Sequence, residues 1–171
     1  MKKLFSYCLL LTASCLLLFS SCKVHYSFSG ASVSPDVKTV SIQAFRNNAS
    51  LAPPTLPQSL NEAIKDIFTS QTNLGIVSSN GDLNFEGEIL NYITAPVAIQ
   101  SNDQAALNRL TITVTVRFTN LKDEKQKFET SFSRYADYSS TQSLSVVQAT
   151  LIDDINKQLV QDIFNKAMIN W

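Results

Sequence analysis

Between Leu110 and Thr119 apolar and polar residues alternate without a break. Leu110, Ile112, Val114, Val116 and Phe118 fall on one side, Thr111, Thr113, Thr115, Arg117 and Thr119 on the other. A period of two predicts a strand with one dry and one wet face. Lys122-Asp123-Glu124-Lys125 then makes a charged turn, and Phe128 to Tyr138 reads as the returning partner strand. Val37 to Phe45 alternates in the same way, with Val40, Ile42 and Ala44 opposite Thr39, Ser41 and Gln43. Ile76-Val77, a tight turn around Asn80-Gly81, and Leu83 to Ile93 predict a short strand, a turn and a longer strand. Two segments change to the helical period. Leu56, Leu60, Ile64, Ile67 and Phe68 define one helix, opened by Thr55-Leu56-Pro57-Gln58 as a capping box and ended near Asn73 and Gly75. Val147, Leu151, Ile155, Leu159 and Ile163 define a second, within Thr141 to Met168. Arg46 to Pro57 and Thr94 to Asn108, the latter containing Pro96, read as connections.

A strand–helix–strand step favours a parallel pair, and the later strands favour a meander. Each helix has a single apolar stripe, so both are expected on one face of the sheet. The outcome is a two-layer α+β sandwich whose other face carries Thr, Ser and Arg.

The beginning of the chain obeys a different rule. Lys2 and Lys3 precede an apolar run from Leu4 to Phe19, too short for a comfortable membrane span but right for a secretion signal. The run ends in Phe19-Ser20-Ser21-Cys22, which resembles the lipobox of bacterial lipoproteins, where the cysteine is acylated and becomes the new N-terminus. Phe19 stands where an aliphatic residue is usual. Thr12-Ala13-Ser14-Cys15 is a rival site, but its use would leave Leu16-Leu17-Leu18-Phe19 exposed on the mature protein. Cys22 is the expected lipidation site. Residues 1–21 are then the signal peptide, 22–36 a Ser/Gly-rich lipidated tether and 37–171 a single domain. Cys8 and Cys15 leave with the signal, so no disulfide is expected.

Charge and composition narrow the function. The 171 residues carry 14 Lys+Arg against 14 Asp+Glu, which argues against nucleic acid as a partner. One His (His25) and three Cys leave little for a zinc site or a nucleophile–base pair, so neither a metal, a cofactor nor an enzymatic activity is expected. Asp153-Asp154 read as solvated helix charges, and Glu86 with Glu88 as exposed charge on one strand face.

Softer motifs carry a resemblance. Tyr26-Ser27-Phe28-Ser29-Gly30, Pro35-Asp36-Val37-Lys38-Thr39-Val40-Ser41-Ile42, Pro53-Pro54-Thr55-Leu56 at a helix start, and Gly81-Asp82-Leu83-Asn84-Phe85-Glu86-Gly87-Glu88-Ile89 at a strand start resemble the LPS-assembly lipoprotein (LptE) family in its Bacteroidetes-like form. The likeness spans most of the chain after Cys22. It implies two helices on one face of a four-stranded mixed sheet. It also implies a non-enzymatic outer-membrane lipoprotein that plugs a large β-barrel of the lipopolysaccharide translocon, assists that barrel's assembly and helps deliver lipopolysaccharide to the cell surface.

The residues suggest how such a protein would work. A polar Thr face suits a barrel lumen, which is itself polar. Arg117 among the Thr residues, Arg134 on the adjoining strand and Arg109 at its entrance are candidates for lipopolysaccharide phosphates through forked donors. Lys38 and Lys127 are lesser candidates. Lys23-Val24-His25-Tyr26 after Cys22 lacks the acidic residues of surface-exported lipoproteins, so a periplasm-facing position is expected. Two alternatives share this scaffold: a lipoprotein binding another envelope protein or lipid, and a surface glycan binder. The second would usually show several Trp residues, and the chain has only Trp171.

Overall fold

The structure, a computed structural model, describes residues 34–97 and 107–168. The expected signal peptide, most of the expected tether, His25, Cys22 and its rival Cys15, and Trp171 lie outside the described residues. In chain order the elements are β1 (Thr39–Ile42), β2 (Arg46–Asn47), α1 (Leu56–Gln71), β3 (Gly75–Val77), β4 (Leu83–Val97), β5 (Leu107–Asn120), β6 (Lys127–Ser139) and α2 (Leu144–Met168). The sheet order is β3-β1-β4-β5-β6, with β2 also pairing with β4. The expected α+β architecture is present, but the sheet has six strands rather than four.

Both additional strands have a local cause. β3 is three residues long and adds parallel to the outside of β1, where it holds an edge. β2 arises because the alternation predicted through Phe45 breaks. Val40 pairs with Leu83 while Arg46 pairs with Glu88, so one extra residue separates the two stretches along β4. Gln43 and Ala44 both face solvent and Phe45 turns inward. A slip of one residue exchanges the faces of everything after it.

The parallel pairs β1–β3 and β1–β4 and the antiparallel run β4–β5–β6 make the mixed sheet predicted. β4 and β5 continue beyond their expected ends. Pro96 pairs with Asn108, so both ends of the expected connection are ladder. A proline is tolerated at that point because β2 pairs with β4 only as far as Ile89 and leaves this part of β4 as an edge.

The core lies between the sheet and the two helices. Leu56, Leu60, Ile64, Ile67 and Phe68 of α1 are buried, as are Leu151, Ile152, Ile155, Leu159, Val160, Ile163 and Phe164 of α2. Each such side chain contributes roughly 1.5–3 kcal/mol relative to exposure. An aromatic chain ties the layers together: Phe68 lies 5.1 Å from Phe85 and 5.2 Å from Phe164, and Phe85 lies 4.8 Å from Phe118. Among the buried residues of the two helices Asn156 is polar. Its amide donates to Ser59 Oγ of α1 at 3.1 Å, while Oδ1 is buried with no partner. The capping box does not form, since Thr55 makes no side-chain cap bond and Gln58 bonds Glu62 instead. The Pro57 ring near the helix start removes an N–H that would have needed a partner anyway.

The turn before β4 is pinned to β1. Asn80 takes φ 54°, which Asn adopts more readily than most residues. At Gly81 a Cβ would collide with the backbone of Val40, Ser41 and Leu83. Asp82 accepts from the backbone N–H of Lys38 at 2.8 Å and of Thr39 at 3.0 Å, and pairs with Lys122 Nζ at 3.1 Å. The Lys38 backbone bond, then Lys122, lowers its carboxyl to about 2. Among the described residues no helix is long and apolar enough to cross a membrane.

Candidate functional site

Because both helices cover one face of the sheet, the opposite face of β4, β5 and β6 is free for function. Its rungs follow from the register. Glu86, Arg117 and Glu129 align, then Glu88, Thr115 and Ser131, then Asn91, Thr113 and Ser133, then Ile93, Thr111 and Tyr135, and finally Ala95, Arg109 and Asp137. The irregularity at Leu90, between Ile89 and Asn91, keeps the second half of β4 in phase with β5.

The middle rungs are hydroxyl pairs: Thr115 and Ser131 share a hydrogen bond of 2.8 Å, Thr113 and Ser133 one of 3.0 Å. Charged groups occupy the two ends. Arg117 donates to Glu86 at 2.9 Å and to Glu129 at 3.1 Å, and these bonds, Glu129's first, hold its guanidinium above the ordinary range. Arg109 forms a forked pair with Asp137, 2.7 and 2.9 Å, and lies 3.6 Å over the Tyr135 ring. Arg109 holds the Asp137 carboxyl below the usual carboxylate range.

Where the β1–β2 slip bends the chain away, a cleft of about 370 Å³ opens among Gln43, Arg46, Glu86, Glu88, Arg117 and Glu129. Glu88 accepts from Asn48 Nδ2 at 2.6 Å and lies 3.8 Å from Arg46. Gly87 forms part of its wall, with the Phe45 ring packed where a side chain would stand.

The three candidate arginines do not share one face. Arg109 and Arg117 lie on the free face as expected. Arg134 pairs with Ile112, a core residue, and so lies on the helix side, where it forms a forked pair with Asp162 of α2 at 2.5 and 2.7 Å. The signal for this was available: Arg134 has the parity of Phe128 and Phe132, not of the Ser residues between them. Lys38 sits before β1, and Lys127 opens β6.

Sequence reasoning also missed the carboxylates. Glu129, Asp137 and Asp162 each neutralise a candidate cation, and only strand register and helix placement bring them there. Glu86 and Glu88 lie on one strand face as expected, but half-buried and ion-paired; Asp153 and Asp154 are exposed as expected, and Asp153 also pairs with Lys157 one helical turn on. Among the described residues no cluster of three or more His, Cys, Asp or Glu side chains is arranged to hold a metal ion.

Comparisons with known proteins agree with this architecture. A chain from Helicobacter pylori described as a homolog of a neuraminyllactose-binding hemagglutinin superimposes with a TM-score of 0.52 at 9% identity, covering 83% of this chain and 89% of its own. A protein from Xanthomonas campestris gives 0.50 at 10% identity, over 81% and 90%. A hypothetical protein from Chlamydia trachomatis gives 0.50 at 13%, over 77% and 98%. At such identities the likeness concerns the fold alone. No curated protein matches the chain. The family model for lipopolysaccharide assembly, LptE, matches residues 37–167, nearly the whole α+β domain. The chain therefore belongs to the LptE lipopolysaccharide-assembly family.

Proposed function

We propose that this protein is a lipid-anchored, periplasm-facing outer-membrane lipoprotein that sits in the lumen of a large β-barrel of the lipopolysaccharide translocon, supports that barrel's assembly and aids delivery of lipopolysaccharide. The role is structural, not enzymatic. The observation that carries it is the helix-free sheet face. Five consecutive rungs present hydroxyls, amides and internally paired charges, interrupted only by Ile93, Ala95 and Tyr135. Barrel lumens are lined with polar groups, so two such walls exchange hydrogen bonds without exposing an apolar surface. Family membership supports the same reading.

Anchoring is assigned to Cys22. Cys22→Ala should abolish incorporation of a palmitate analogue and release the protein from the outer-membrane fraction. Labelling that persists in the variant would move the site to Cys15.

Arg109, Arg117 and Arg134 remain the candidates for lipopolysaccharide phosphates, and their pairing specifies how: phosphate must displace Asp137, Glu129 with Glu86, or Asp162. Arg117→Ala and Arg134→Ala together should then reduce lipopolysaccharide binding by the purified lipoprotein, with Lys replacements recovering only part of it. Equal binding by wild type and the double variant, with melting unchanged, would leave these arginines as ion-pair partners only.

A further inference from the structure

We infer that the free edge of β6 is a pairing edge for a second copy of this chain, joined antiparallel about Phe132 with Lys127 of each copy opposite Asp137 of the other. This goes beyond the barrel-bound role and concerns the lipoprotein before it meets its barrel.

β6 ends the sheet, and among the described residues only β5 pairs with it. The edge is long and regular. Its 13 residues contain no Pro or Gly, and the register with β5 runs from Leu107↔Ser139 to Thr119↔Lys127 without a shift. The opposite edge, β3, has three residues. Proteins usually blunt an edge of this kind with a bulge, a proline or a covering loop. Its one charge on the helix side, Arg134, is already held by Asp162.

The ladder determines which groups are offered. Asn120 N–H donates to Gln126 C=O at 3.2 Å, so the closely bonded pairs with β5 fall on even residues of β6. Odd residues from Glu129 to Asp137 therefore turn their N–H and C=O outward, with side chains on the polar face, while at the ends the Lys127 N–H already donates to Lys125 C=O and Ser139 C=O accepts from the Gln142 N–H. A second β6 must pair odd with odd.

Among such registers, the one about Phe132 sets Lys127 opposite Asp137 twice, Glu129 opposite Tyr135 and Ser131 opposite Ser133. On the helix side it sets Phe132 against Phe132 and Phe128 against Ala136, extending the edge of the core across the two-fold. Centring the pair on Ser133 instead would oppose Glu129 to Asp137 twice, and like charges directly opposite are unfavourable. Lys127 makes no ion pair among the described residues, and Asp137, though held by Arg109 of its own chain, keeps carboxylate lone pairs for a second donor. The Lys127 charge, together with Phe132 facing its own copy across the two-fold, selects one occupant and one register.

The test uses the full-length lipoprotein in detergent micelles. Sedimentation should show a concentration-dependent dimer. Lys127→Glu should raise its dissociation constant about tenfold or more, and Lys127→Arg should leave it unchanged. Phe132→Cys should give a disulfide-linked dimer on mild oxidation, since residues facing each other at that point have Cα atoms about 4.5 Å apart. Ser133→Cys should not, and the wild type, whose Cys22 is assigned to the lipid anchor, sets the background. A monomer at every concentration, an unchanged dissociation constant in Lys127→Glu, or preferential cross-linking through Ser133→Cys would each overturn the inference. The charge variants keep it testable should Phe132→Cys unfold the chain.

Discussion

Phe85→Ala should lower the unfolding free energy by about 3–5 kcal/mol, the range for removing a fully buried aromatic ring. Phe85 is fully buried at the centre of the domain and touches both Phe68 of α1 and Phe118 of β5. Because the Phe68 ring in turn meets Phe164 of α2, the cavity would adjoin both helices and the sheet. None of these elements can close it without losing its other contacts, so relaxation should be limited. Denaturant unfolding followed by circular dichroism measures the loss. A change below about 1 kcal/mol would mean that the two layers are joined elsewhere.

Gly87→Ala is the second large effect, although it adds only one methyl group. A Cβ at Gly87 would run into the carbonyl oxygen of Thr115 and the Phe45 ring. The carbonyl belongs to the paired strand and cannot rotate away, so β4 and β5 must separate locally or Phe45 must leave the core. A cost of about 2–3 kcal/mol follows from the range for overpacking. Phe45 is 3% exposed, and its expulsion would also disturb the β1–β2 slip that shapes the cleft. Gly87→Val should be worse. A Gly87→Ala protein with wild-type melting would show that the strand gives way more easily than its register suggests.

How much was legible follows from how strongly each segment is constrained. β5 is buried on one face and wet on the other throughout, so its period of two identified it, its partner and its two faces. The helices were legible for the same reason, since each has one dry stripe. The slip at Gln43-Ala44 was not, because a single extra residue leaves local composition unchanged while exchanging faces. Pro96 argued against a strand, and only the end of β2 at Asn47 explains its tolerance. Thr55 had the spacing of a cap but not the backbone for one: its φ and ψ are helical. The face of Arg134 is legible from its parity with Phe132, which puts it on the helix side and apart from Arg117. The carboxylate partners of all three arginines depend on register and on the placement of α2, which no short stretch of sequence encodes.

The central claim is that the helix-free face meets a barrel wall. A photo-cross-linking residue placed at Thr113, in the middle of that face, tests it most directly in the full-length lipoprotein within intact cells. After capture of the tagged chain in mild detergent, the account predicts one adduct with a single large outer-membrane barrel protein, in a one-to-one complex. Adducts with soluble periplasmic proteins alone, or no adduct from a correctly anchored and folded chain, would contradict it.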